Sequence, residues 1–172
     1  METKQNVPRI DKKTIIPSIT YFDENYDIGE EIIKLFNESK EQFFEDGIET
    51  QFSKELTEFI LKYGNKAVDI LSGLFEYGKV SPESIDESLR WIGKIRHEDS
   101  YLYRKWLVER CLFHPNPKVR DAASIGISMM DDPKSIPSLK KATEKETIKE
   151  IKEDMESVLA QLILTNPNGI PS

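Results

Sequence analysis

Cysteine is almost missing from this sequence. Cys111 stands alone, which excludes an internal disulfide. Histidine is nearly as scarce, with only His97 and His114. Cys111 and His114 are three apart, but a structural zinc site takes four ligands, and only His97 remains to add. As a nucleophile–base pair, Cys111 and His114 lack an evident oxyanion hole. The sequence has no glycine-rich phosphate loop, no H-E-x-x-H, no C-x-x-C and no G-x-S-x-G. Nor is there a long apolar run, a secretory leader or a lipidation motif. These absences predict a cytoplasmic, non-enzymatic chain with no cofactor, no metal and no membrane contact. Alternation of strands with helices is also missing, which argues against a parallel sheet.

What is present is charge. Of 172 residues, 32% are charged and 38% hydrophobic, and the net charge is −7. That balance suits one domain with much surface per residue. The charge is unevenly spread. Residues 21–60 hold twelve acids and three bases, whereas residues 90–120 hold eight bases and three acids. An acidic front and a basic middle can attract each other or face different partners. Paired carboxylates such as Glu45-Asp46, Asp131-Asp132 and Glu153-Asp154 read as solvated faces and helix caps, because catalytic carboxylates need a dry cleft.

The apolar residues recur with helical spacing over most of the chain. Residues 1–27 read as an extended arm, because Thr14–Ile16 and Ile19–Phe22 are β-branched and aromatic. A helix is predicted from about 28 to 46, stopped by Gly47, then others over 51–63 and 66–77, closed by Gly64 and Gly78. Ser81-Pro82 opens a fourth, with Ile85, Leu89, Ile92 and Ile95 inward. The helix over 101–113 is apolar on two sides, through Leu102, Trp106, Leu107, Val108, Cys111 and Leu112, as a helix sandwiched between neighbours is. Asn116-Pro117 starts the next. Its inner face is Val119, Ala122, Ala123, Gly126, Ile127 and Met130, half of it small enough for close helix approach. Asp132-Pro133 starts another, and Thr147-x-x-Glu150 forms a capping box for the last. Residues 166–172 read as a loose tail.

Val119-Arg120, Ala122-Ala123, Ile127, Asp132-Pro133, Ile136-Pro137, Leu139 and Ala142 together resemble one HEAT-type repeat, of the short form found in lyases. The pattern is clearest at 117–142 and 147–162. Ile127-Ser128 stands where that family usually carries Leu-Gly. Ile151–Leu162 aligns without gaps to Val119–Met130, and Trp91–Ile95 aligns to Gly126–Met130. The resemblance implies an all-α fold: a short right-handed α-solenoid of antiparallel helix pairs spanning residues 28–165.

It also implies that second helices line a concave groove. Arg104, Lys105, Arg110, Lys140 and Lys141 then converge there, near Tyr101, Tyr103 and Trp106. This predicts a binding module for another protein, with charge setting partner choice. The opposing reading takes these charges as ordinary solvated ones and the aromatics as core. A second surface, Glu30, Glu31, Glu38, Glu41, Glu45 and Asp46, offers an alternative: a bacterial immunity or antitoxin-type inhibitor of a basic toxin. A third reading, by the same resemblance, is a nucleic-acid-binding or base-removing enzyme, or a chromophore lyase. The net charge of −7 disfavours nucleic acid without excluding it.

Overall fold

The computed structural model describes residues 16–40, 42–45, 47–77 and 80–167, with side chains from residue 26 onward. Among the described residues the chain forms eight α-helices and no strand. They are α1 (Ile16–Glu38), α2 (Gln51–Tyr63), α3 (Asn65–Glu76), α4 (Pro82–Lys94), α5 (Tyr101–Cys111), α6 (Pro117–Met130), α7 (Ile136–Lys145) and α8 (Lys149–Thr165). Short 3-10 turns precede α5 and α7.

The helix starts follow side-chain chemistry. Thr50, Ser81 and Asn116 each accept from a backbone N–H of the first turn of α2, α4 and α6. Pro82 and Pro117 sit in first turns, where the missing N–H has no partner to lose. Asp132 caps the 3-10 turn that leads into α7.

Three expectations are corrected. The extended arm does not reach residue 27: α1 begins at Ile16, with Pro17 tolerated in its first turn, and residues 1–15 lie outside the described residues. The same helix ends at Glu38 rather than near 46. Buried Ser39 closes it, its hydroxyl donating to the Phe36 carbonyl at 3.0 Å. The Thr147–Glu150 capping box is not formed. Instead Oε1 of Glu146 accepts from the backbone N–H groups of Thr147 and Ile148, at 2.9 and 3.0 Å.

The even-numbered helices pack in succession, α2 on α4, α4 on α6 and α6 on α8. α3 packs on α5, which lies against α4 and α6, and α7 lies against α8. One hydrophobic core runs from Ile28, Ile32 and Phe36 through Leu56, Leu71, Leu89, Ile92, Val108 and Ile127 to Met155 and Leu162. Phe36 meets Phe52 and Phe75 edge to face, at 5.2 and 6.1 Å. The tightest approach is α4 on α6. A Cβ on Gly93 would stand 2.5 Å from the Gly126 carbonyl oxygen, and one on Gly126 would stand 2.9 Å from that of Leu89. The small inner face read from the sequence is there because two backbones nearly touch.

Candidate recognition surface

α5 has two faces of opposite character. Arg104, Leu107, Val108 and Cys111 recur at i, i+3, i+4 and i+7 and are buried. Leu102 and Trp106 on the other face, and Phe113 in the turn just after the helix, are 72%, 46% and 43% exposed. Tyr103 is exposed beside them. Leu102 and Trp106 are therefore not sandwiched, as the sequence suggested. With Tyr103 and Asp69 of α3 they line an open, mostly apolar depression of about 420 Å³. A second hollow of about 300 Å³ follows between α3 and α5, bordered by Phe75, Glu76, Arg110, Cys111, Phe113 and His114.

The five basic residues predicted for the groove lie in different settings. Arg104 is only 1% exposed. Its guanidinium donates to the carbonyls of Ile92 and His97, at 2.9 and 2.8 Å, and to the Ser100 hydroxyl at 3.0 Å. It satisfies carbonyls at the C-terminal end of α4 and in the turn beyond, where a cation complements the helix dipole. Burial lowers its pKa from the usual arginine value. Lys105 pairs with Glu109 at 3.1 Å and is mostly covered. Glu109 in turn accepts from the Ser135 and Ser138 hydroxyls, at 2.7 and 3.0 Å, tying α5 to α7. Arg110 is outward, paired with Glu76 of α3, with its guanidinium carbon 5.3 Å from the Trp106 ring centroid. Lys140 and Lys141 are exposed on α7.

Lys141 and Lys145 lie 5.9 and 5.7 Å from the Phe113 ring centroid. The surface actually assembled is thus Leu102, Tyr103, Trp106, Arg110 and Phe113 with Lys141 and Lys145 alongside. Phe113, Lys145 and Asp69 were missed from the sequence. The available signal was the second apolar side of α5, which had been given a buried neighbour it lacks.

The acidic residues are placed as follows. Glu30, Glu31, Glu38 and Glu45 are exposed, and Glu41 and Asp46 lie outside the described residues. Glu31 accepts from Tyr63 at 2.6 Å and from Lys62, and the tyrosine contact leads in holding its pKa below the usual carboxylate value. Glu38 pairs with Lys34 at 3.8 Å. Glu31 and Glu38 border a depression between α1 and α2 with Glu55 and Glu58.

The Cys111 thiol is 4% exposed, and burial pushes its pKa up to about 12, away from the thiolate form that attacks. No cluster of three potential metal ligands occurs among the described residues. No described helix is long and apolar enough to cross a membrane. What the α5 surface can do is bury apolar side chains next to fixed cations. No protein-family model matches the sequence, and no curated protein and no solved structure matches it either.

Proposed function

We propose that the chain is a non-enzymatic protein-recognition module built on a short HEAT-like array, a right-handed stack of helix pairs. α2/α3, α4/α5 and α6/α7 are its units and α8 the closing helix. The stacking of α4 on α6 and α6 on α8 supports this reading, since these are the helices whose sequences echo one another. In such an array each unit buries its apolar stripe only against its neighbours, leaving long rows of side chains free to read a partner.

The observation that carries the functional part is the exposed line Leu102 and Trp106 on α5 with Phe113 in the turn that follows it. Tryptophan, tyrosine and arginine dominate binding hot spots, and Trp106, Tyr103 and Arg110 stand exposed on this helix. Scattered exposed apolar residues need no explanation, but three along α5 and the turn after it, lining two hollows, form a patch.

Placing p-benzoylphenylalanine at position 102 tests it. Irradiation in the source cell should give one dominant protein adduct. Co-expressed wild-type chain should suppress that adduct, and the Trp106→Glu variant should not. The same probe at Glu153, on exposed α8 surface, should give none. Equal labelling at both positions, or none at 102, would sink the reading.

A further inference from the structure

The exposed line on α5 has a length and an uneven charge. Leu102 and Phe113 are eleven positions apart, about 16 Å at helical rise, or three turns of a partner helix. At the Phe113 end stand Lys141 and Lys145, within 6 Å of the ring centroid, with exposed Lys140 next to them on α7. Neither Lys141 nor Lys145 has a carboxylate partner among the described residues. In the middle, Arg110 is already matched by Glu76. At the Leu102 end the charged group is Asp69. Positive charge that lacks a counter-ion therefore lies at one end of an apolar line.

The occupant must match both features. No sheet edge exists among the described residues to pair with an extended peptide. A helical segment satisfies its own backbone and needs only side-chain contacts. A second copy of this chain is a poor fit. Its acidic helix α1 turns Ile28, Ile32, Leu35 and Phe36 into its own core. Nucleic acid meets Asp69 and Glu76 on the same face, and a chain of net charge −7.

We infer that the α5 face docks an acidic amphipathic helix of a partner protein. Its leucine- or phenylalanine-type anchors lie along Leu102, Trp106 and Phe113, and its carboxylates lie over Lys141 and Lys145. This rests on the recognition reading above and adds the partner's chemistry to it.

The test uses the full chain and three fluorescein-labelled 14-residue peptides, read by anisotropy. The first carries leucine at i, i+4, i+7 and i+11 with glutamates at one end. The second has lysine for each glutamate, and the third asparagine for each leucine. The first should bind about tenfold or more tightly than either other, and should weaken as salt rises. Lys141→Glu with Lys145→Glu should cost about tenfold for the acidic peptide and reverse the preference. Trp106→Ala should weaken the acidic peptide at unchanged Tm.

Equal binding of the acidic and basic peptides overturns the inference, as does a lysine double variant that binds normally. A concentration-dependent dimer abolished by Trp106→Ala overturns it in favour of a second copy. Tighter binding of a labelled single-stranded oligonucleotide overturns it in favour of nucleic acid. If no peptide binds while the adduct at position 102 persists, only the partner assignment falls. If the adduct is absent too, the recognition reading falls with it.

Discussion

Arg104 shows how far one side chain can depart from what its type suggests. A buried arginine facing carbonyls rather than a carboxylate keeps its charge because several dipoles point at it. Removing it would leave those carbonyls and Ser100 short of donors in a dry place. Arg104→Ala is therefore expected to cost about 3 kcal/mol, measured by denaturant unfolding. Arg104→Lys should recover only part of that, since one ammonium cannot reproduce the planar fork. Full stability in both variants would remove the structural role. The position was legible in principle: Arg104 keeps step with Leu107, Val108 and Cys111, and that period outranks its charge. Buried Glu87 was legible in the same way, since Trp91 stands four residues on in α4, whereas buried Glu146 was not, because its partner Arg120 is recognised only once the helices are placed.

At the scale of helices, sequence reasoning did best where local rules decide. Thr50, Ser81 and Asn116 sit where their capping chemistry requires, and Val119, Ala122, Ala123, Gly126, Ile127 and Met130 are all buried. It did worst for α1. There β-branched residues favoured an extended course up to residue 27, whereas the helix runs from Ile16, continuous with the part whose Ile28, Ile32 and Phe36 pack into the core. It also failed on α5, where two apolar sides said nothing about which one is covered. The α4–α6 crossing gives a clean test. Gly93→Ala places a methyl against the Gly126 backbone, which cannot yield as a flexible side chain does. It should lower stability by about 2 kcal/mol, although alanine favours a helix by about 1 kcal/mol. Gly73→Ala in α3 meets nothing within 4 Å and should stabilise by roughly 0.5–1 kcal/mol. Opposite signs in calorimetry are the expected outcome; equal effects would mean that the crossing is looser than described.

For the whole molecule, the joint between α6 and the start of α8 is an electrostatic latch. Arg120 donates to both oxygens of Glu146, at 2.6 and 2.9 Å, and Glu146 also accepts the two backbone donors that open α8. The arginine bond leads in holding the Glu146 pKa at about 2, against an ordinary value of 4.5. A carboxylate depressed in the fold stabilises above its unfolded value, and that contribution drains away as pH falls. The window is thus pH 4.5 down to about 2. Glu146→Gln should be less stable than wild type by about 3 kcal/mol at pH 7. The two stability curves should converge towards pH 2. Parallel curves across that window would show that the latch contributes nothing.

The solitary thiol, Cys111, wedged where α3 meets α5, supplies a clock. While the helices stay closed, a maleimide finds no thiolate to alkylate, so uptake of the reagent counts openings of that joint. A cysteine placed by design at Lys140 would react at once, and probes could be attached there without first deleting the native one.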